Sequence, residues 1–217
     1  MLEYVKICGL KRTEDIELCS ENGATAVGLV YNVPNSPRNL DKISILKLLE
    51  NFPNNIKSVV ILKTANELEI LKIVNEIPAD LYQVHCSFDF RVLNAFPKKI
   101  KKKIIIGLKV SRSSLKETIR KINSNMNQFY AFLLDNSHGT GRKFDFDVSL
   151  KIKRMTSGTK LIFAGGIDCN NVKSLLKCLK PYGIDASSSL ESKLGVKDPN
   201  KIKVFLNKIN QIINVEV

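Results

Sequence analysis

Lys160-Leu-Ile-Phe-Ala-Gly-Gly-Ile-Asp168 is a short apolar run that ends at paired glycines, and Gly183-Ile-Asp-Ala-Ser-Ser-Ser-Leu190 is a second run that ends at three serines. In the first stretch Asp168 stands where a helix N-cap is expected, so backbone amides can face an anion. In the second stretch the serine hydroxyls and amides can complete the same cradle. Two adjacent cradles near the end of an α/β chain are typical of the phosphate site after strands 7 and 8 of a (β/α)8 barrel.

Apolar, β-branched runs alternate with helix-patterned stretches along the rest of the chain. We therefore predict one α/β domain over residues 1–217, a (β/α)8 TIM barrel. An open doubly wound sheet is the alternative, but its glycine-rich turn would follow the first strand, where this chain has Cys8-Gly-Leu-Lys-Arg12. The predicted strands are residues 3–8, 25–31, 57–62, 80–85, 103–110, 129–135, 159–164 and 182–187. The predicted helices are Thr13–Asn22, with Thr13 as its cap, Leu40–Asn51, Asn66–Ile77, Phe88–Ala95, Ser114–Asn123, Asp147–Met155, Asn170–Leu179 and Pro199–Ile213.

The composition, with 44% hydrophobic and 25% charged residues, is that of an ordinary globular protein. No signal peptide opens the chain and no apolar run approaches about 18 residues, so we expect a cytoplasmic protein without membrane contact. The five cysteines form no Cys-x-x-Cys pair, and His85 and His138 lie far apart in the sequence. We therefore predict free thiols and no metal site.

The net charge of +13 would suit a nucleic-acid partner, but the basic residues are spread along the chain. The exception is the run Lys98-Lys-Ile-Lys-Lys-Lys103, which precedes a strand and so belongs on the face opposite a barrel's active site. We interpret this run as a solvated loop. The expected partner is a small phosphorylated molecule rather than a nucleic acid.

Residues at the ends of the predicted strands are the candidates for chemistry, because barrel active sites lie at that face. Cys8 ends the first strand and Asp135 the sixth, so a thiol and a carboxyl group can supply a base and an acid across the mouth. A small buried apolar residue is the alternative for Cys8, and a loop cap or salt bridge is the alternative for Asp135. The other strand ends include Tyr31, Lys63, His85, Lys109, Ala164 and Ser187, and alternation places Lys6, Gln83, Leu133 and Asp185 one layer deeper.

Two loops could contribute to binding. Residues 32–40 contain two prolines that stiffen the presentation of Arg38, which could clamp a carboxylate in bidentate fashion or lie on the surface near a helix start. Residues 136–146 form a polar loop with Gly139 and Gly141, suited either to closing over a ligand or to a plain connection.

The order and spacing of several motifs make the chain similar to the phosphoribosylanthranilate isomerase family of tryptophan biosynthesis. These motifs are Val5-Lys-Ile-Cys-Gly9, Asn35-Ser-Pro-Arg38, Gln83-Val-His85, Leu133-Leu-Asp135, Gly139-Thr-Gly141, Ala164-Gly-Gly-Ile167, Ile184-Asp-Ala-Ser-Ser188 and Gly195-Val-Lys-Asp-Pro199. The chain departs from the family pattern at Cys86 and His138, where glycine is common, which bears on the rim of the pocket. The resemblance implies a (β/α)8 barrel that rearranges an N-(5-phosphoribosyl)anthranilate aminoaldose into the corresponding ketose, without cofactor or metal.

The resemblance also implies roles for individual residues. Cys8 is implied to be the general base at the sugar C2, Asp135 the general acid at the ring oxygen, and Arg38 the residue that holds the anthranilate end. Gly165, Gly166, Ser187 and Ser188 are implied to bind phosphate, and the expected substrate site also includes His85, Gly139, Gly141 and Asp185. A related barrel lyase such as indole-glycerol-phosphate synthase, which is expected to use lysine and glutamate, stays as an alternative, as does a non-catalytic phosphosugar-binding or RNA-binding protein. We expect a monomer or a homodimer.

Overall fold

The computed structural model describes residues 2–64, 66–136 and 144–215. Its eight main strands are β1 (Tyr4–Cys8), β2 (Ala26–Tyr31), β3 (Lys57–Thr64), β4 (Leu81–Cys86), β5 (Ile104–Lys109), β6 (Ala131–Asp135), β7 (Leu161–Ala164) and β8 (Gly183–Ala186). The α-helices are α1 (Thr13–Glu21), α2 (Lys42–Glu50), α3 (Glu67–Glu76), α4 (Lys98–Lys101), α5 (Leu115–Asn123), α6 (Phe146–Met155), α7 (Val172–Leu179) and α8 (Pro199–Val215).

The eight strands close into a parallel barrel. Each strand pairs with the next along the chain, and β8 pairs back to β1, with Lys6 beside Asp185 in that last register. Because β1 pairs with β2 on one side and with β8 on the other, the sheet of main strands is closed. The (β/α)8 barrel predicted from the sequence is confirmed, and each strand lies within two residues of its expected bounds.

The apolar residues form two groups, as expected for strands whose side chains alternate between the interior and the helices. One group fills the space between the strands and the surrounding helices, and the other lies inside the barrel, around Tyr4, Val59, Ile105 and Ile162. At the barrel end near the strand N-termini, Tyr130 and Tyr182 pack against Tyr4. The apolar residues therefore fill the N-terminal end of the barrel interior, and the polar interior residues lie toward the C-terminal ends of the strands.

Three local expectations were wrong. Thr13 does not cap α1: the helix begins at Thr13 after Arg12, whose side chain instead binds Asp15 through two hydrogen bonds of 2.9 and 2.7 Å. The predicted helix Phe88–Ala95 is a 3₁₀ helix, Phe90–Ala95, and it ends before Phe96, where the following Pro97 disfavours α-helical geometry. The chain then makes the single turn α4, so the lysine-rich run begins as a helix and not as a loop.

Three further short strands lie at the rim of the barrel mouth. Asn39–Leu40 extends the pairing of β2, while Glu191–Lys193 and Val196–Lys197 form an antiparallel hairpin after β8. We call residues 191–197 the rim hairpin. Among the helices of the described residues, none is long and apolar enough to cross a membrane.

Candidate active site

A cavity of about 490 Å³ opens at the C-terminal ends of the strands. Every predicted site residue that the structure describes lines it, namely Cys8, Arg38, His85, Asp135, Gly165, Gly166, Asp185, Ser187 and Ser188. Gly139 and Gly141, together with His138, lie outside the described residues. The strand ends Tyr31, Lys63 and Lys109 are not part of the cavity lining. The alternation of strand side chains therefore brings the thiol, the carboxyl group and the two cradles to one concave surface.

Beneath Cys8 lies a buried ion pair. The Lys6 ammonium has no exposed surface and lies 2.9 Å from Asp185 Oδ1, as their adjacent positions in the β1–β8 register require. Burial acts to lower the pKa of Lys6, but the negative charges of Asp185 and Cys8 together outweigh burial and the pKa is raised, so Lys6 is charged. Burial also raises the pKa of the Cys8 thiol, with the Lys6 charge opposing that rise. Lys6 therefore favours the Cys8 thiolate without overcoming its desolvation.

His85 is a neutral group in this site. Its Nε2 lies 2.9 Å from Nε2 of Gln83, the residue one layer deeper on β4. Burial lowers the pKa of His85 to about 4, although the charge of Asp135 acts in the opposite direction. At neutral pH the imidazole can exchange hydrogen bonds with a ligand, but it carries no positive charge.

Asp135 stands at the end of β6, where its register partners are Lys109 on β5 and Ala164 on β7. The side chain is partly buried and lines the cavity above Leu133, the residue that shares its face of the strand. A carboxyl group at this position reaches a ligand from the β6 side of the mouth, while Cys8 reaches it from β1.

The glycine cradle after β7 requires a backbone that side chains rarely adopt. Gly165 and Gly166 have φ values of 91° and 71°, both in the left-handed region that glycine tolerates. Asp168 was expected to cap the next helix, but the N-cap residue of α7 is Asn171. Asp168 Oδ1 instead accepts hydrogen bonds from the amides of Asn170 and Asn171, at 2.8 and 3.0 Å, and so shapes the turn that leads into the helix.

The serine cradle after β8 is tied to β1. The Ser187 hydroxyl donates to the backbone carbonyl of Cys8 at 3.0 Å, so its hydrogen is already engaged. The Ser189 hydroxyl donates to the Ile167 carbonyl at 2.6 Å and links the two cradles, while Ser188 is exposed. Ser187 therefore positions the loop in this geometry, and Ser188 presents the more accessible hydroxyl.

Arg38 enters the cavity rim in a fixed orientation. Its Nε and Nη2 atoms donate to the two carboxylate oxygens of Glu191, at 2.6 and 2.9 Å. The arginine stem crosses Gly9, where an added Cβ would lie 2.3 Å from Arg38 Cδ. Arg38 thus makes a bidentate contact within the protein, with Glu191 on the rim hairpin, and its expected contact with a ligand carboxylate stays a prediction.

The sequence of this chain matches the family model for N-(5′-phosphoribosyl)anthranilate (PRA) isomerase over residues 5–208. The chain belongs to the PRA isomerase family. A PRA isomerase of Listeria monocytogenes serotype 4a is 33% identical over 218 residues, which cover 93% of this chain and 96% of that protein. The match decides in favour of the isomerase over the lyase that the sequence left open.

Solved structures of PRA isomerases share the fold. A phosphoribosyl anthranilate isomerase in complex with reduced 1-(o-carboxyphenylamino)-1-deoxyribulose 5-phosphate has a TM-score of 0.79 and 26% identity, covering 97% of this chain and all of that one. Monomers generated from the dimeric enzyme of Thermotoga maritima have a TM-score of 0.80 and 24% identity, with the same coverage.

Three polar residues that support the side chains of this PRA isomerase site were not among the predicted site residues. Glu191 and Lys197 form a buried pair at 2.9 Å beside Arg38, and Gln83 supports His85. Gln83 could have been found from its position two residues before a strand end. Glu191 lies 153 residues from Arg38, and an isolated acidic residue in a lysine-rich segment gives no signal of its partner.

All five cysteines are free thiols, of which Cys19 is buried and Cys178 exposed. Within residues 2–64, 66–136 and 144–215, no group of three or more His, Cys, Asp or Glu side chains is arranged to hold a metal ion. Cys86, where the family commonly has glycine, packs against the core beside the mouth.

Proposed function

We propose that Cys8 and Asp135 are the base and the acid with which this PRA isomerase of tryptophan biosynthesis converts its aminoaldose substrate into the ketose. The observation that supports this assignment is the placement of both groups on one cavity, at the ends of β1 and β6. Because the two residues come from different sides of the barrel, they can act on different atoms of one ligand.

Two proton transfers follow from this geometry. Asp135 gives its proton to the furanose ring oxygen, the C1–O bond breaks, and the anthranilate nitrogen lone pair forms a C1=N bond. The Cys8 thiolate then removes the C2 proton, and the electrons of the C2–H bond form a C1=C2 bond as the nitrogen becomes neutral. The resulting enaminol becomes the ketose when a proton is added at C1 and the C2 hydroxyl loses its own. Protein groups therefore need only hold and move protons.

The two ends of the substrate have separate anchors in this proposal. The amides of the Gly165–Gly166 turn, the Ser187–Ser188 loop and the Ser188 hydroxyl take the phosphate. At the other end, the edge of Arg38 formed by Nη1 and Nη2 takes the anthranilate carboxylate, because the fork to Glu191 uses only Nε and one N–H of Nη2. Val30, Ile61 and Leu194 supply apolar surface near that end. His85 and Asp185 complete the site, and Gly139 and Gly141, which lie outside the described residues, are also proposed to contact the ligand.

Steady-state kinetics with PRA, followed by fluorescence, tests the assignment. Cys8→Ala and Asp135→Asn should each lower kcat by about 10²–10⁴-fold with little change in KM, since each removes one proton transfer. Cys178→Ala is the matched control, because this exposed thiol lies on α7 away from the cavity. A near-normal kcat in Cys8→Ala would rule out the thiol as the base. The neutral His85 would then be the next candidate.

We infer one catalytic domain over residues 1–217 that acts in the cytoplasm as a monomer or a homodimer on a small phosphorylated substrate. Light scattering after size-exclusion chromatography measures the mass against the 24.4 kDa of one chain. A trimer or a larger species would contradict the proposed assembly.

A further inference from the structure

We propose that Glu191 is a positioning residue that holds Arg38 in the orientation needed to bind the carboxylate at the aromatic end of the substrate. This inference rests on the proposed role of Arg38. Glu191 does not line the cavity, and the effect on the substrate carboxylate proposed here runs through Arg38.

The contact between the two residues fixes the plane of the guanidinium. Both carboxylate oxygens of Glu191 are used, one by Arg38 Nε and the other by Arg38 Nη2. A two-point contact of this kind permits a single relative orientation, unlike the point charge of a lysine. The free edge of the guanidinium therefore has a defined direction before any ligand arrives, which lowers the entropy lost on binding.

Glu191 is itself held by the rim hairpin. Its Oε2 accepts a hydrogen bond from the Gly195 amide at 3.0 Å, and its Oε1 accepts one from Lys197 Nζ at 2.9 Å. Burial acts to raise the pKa of Glu191, but Arg38, Gly195 and Lys197 outweigh burial and lower it, so the carboxylate is ionised. The side chains of Glu191 and Lys197 are only 4% and 1% exposed, so water competes little for either group.

The same contacts connect the two ends of the site. Lys197 Nζ also donates to the backbone carbonyl of Ser187 at 2.9 Å, in the loop assigned to phosphate. A single buried carboxylate thus joins the arginine of the aromatic end to the loop of the phosphate end. Without its negative charge, Arg38 and Lys197 would face each other as like charges, and Arg38 would lose its orientation.

Calorimetric titration with two ligands tests this role. The first ligand is reduced 1-(o-carboxyphenylamino)-1-deoxyribulose 5-phosphate, and the second is the same compound without the carboxylate. Glu191→Gln should raise the Kd of the first ligand about tenfold and that of the second less than about twofold, because only the first uses Arg38. Glu76→Gln is the control, since Glu76 pairs with Lys42 at the same 2.9 Å distance on the surface. It should change neither Kd by more than about twofold.

Combination with Arg38→Ala separates positioning from a structural role. In the Arg38→Ala background, adding Glu191→Gln should raise the Kd of the carboxylated ligand by less than about twofold further. Because Glu191→Gln leaves Lys197 buried without its partner, Glu191→Gln/Lys197→Met serves as a second variant with no unpaired buried charge. It should show the same selectivity against the carboxylated ligand.

Each outcome is decisive. Equal weakening of both ligands by Glu191→Gln, or full weakening of the first ligand in the Arg38→Ala background, would overturn the inference. If Arg38→Ala selectively weakens the carboxylated ligand while Glu191→Gln does not, the inference alone is wrong. If Arg38→Ala itself shows no selectivity, the proposed role of Arg38 is wrong and the inference falls with it.

Discussion

Replacing Lys6 with methionine removes the positive charge beneath the proposed base while keeping an unbranched side chain of similar length. The Lys6 charge lowers the pKa of Cys8 and the Asp185 carboxylate raises it, with Lys6 the stronger of the two. Lys6→Met should therefore raise the Cys8 pKa, because the attraction of Lys6 is lost while the repulsion of Asp185 stays. The double variant Lys6→Met/Asp185→Asn should have a Cys8 pKa between those of wild type and Lys6→Met.

The size of the effect follows from how near the charges are. An opposite charge within about 4–6 Å typically shifts a pKa by about 1–3 units, and each unit changes the thiolate fraction tenfold below the pKa. At pH 7 the Lys6→Met enzyme should thus lose at least about tenfold in kcat/KM through Cys8 alone. The single variant also leaves Asp185 as an unpaired buried carboxylate, at a cost of about 3–5 kcal/mol in unfolding free energy, which the double variant avoids.

The assay is alkylation of Cys8 by iodoacetamide as a function of pH, with each cysteine peptide quantified by mass spectrometry. Cys178 is exposed and serves as the internal reference in every sample. Chemical unfolding of the three proteins separates loss of fold from a change of pKa. An identical Cys8 pKa in wild type, Lys6→Met and the double variant would refute the electrostatic role of Lys6.

The remaining predictions concern the phosphate turn and His85. Gly166→Val should weaken binding of the phosphorylated product analogue far more than its dephosphorylated form, whereas Gly158→Val, which strains a similar φ of 83° before β7, should not distinguish the two ligands in calorimetry. Equal weakening of both ligands by Gly166→Val would contradict the phosphate assignment. The pKa of His85 is about 4 in the folded protein and about 6.5 in the unfolded chain. Its contribution to the free energy of unfolding is therefore fully present above pH 6.5 and is lost as the pH falls toward 4. The free energy of unfolding should therefore fall between pH 7 and pH 5 by about 2 kcal/mol more in wild type than in His85→Gln, as measured by chemical unfolding. An equal fall in both proteins would mean that His85 is not buried as a neutral group.

The sequence was sufficient for the barrel and for most of the cavity lining, because both follow from local pattern. A strand that ends at Cys8, His85 or Asp135 presents that residue at the barrel mouth in any closed parallel sheet. The same reasoning placed Lys6 and Gln83 one layer deeper, where the structure has them. Period-2 alternation and strand order carry this information without any knowledge of tertiary contacts.

The features that could not be predicted depend on contacts between distant segments. The bidentate contact between Arg38 and Glu191 joins a loop after β2 to the rim hairpin. The Ser187 hydroxyl donates to the Cys8 carbonyl, 179 residues away in the chain. The sequence predicts Asp168 as the cap of α7 because aspartate is a common cap. Its carboxylate instead accepts hydrogen bonds from the amides of Asn170 and Asn171, in the turn that precedes the helix. In each case several partners were chemically acceptable, and the packed backbone selected one.

The bond from Ser187 to the Cys8 carbonyl has a consequence for synthesis on the ribosome. On the ribosome the first strand of the barrel is made 179 residues before the serine that fixes its catalytic end. A contact across 179 residues has a high loop-closure cost and forms late during folding. A nascent chain arrested before β8 lacks the strand on the other side of β1, so Lys6 has no Asp185 and the Cys8 carbonyl has no Ser187. Competence for catalysis should therefore arise in one step, once β8 and the loop after it have left the exit tunnel.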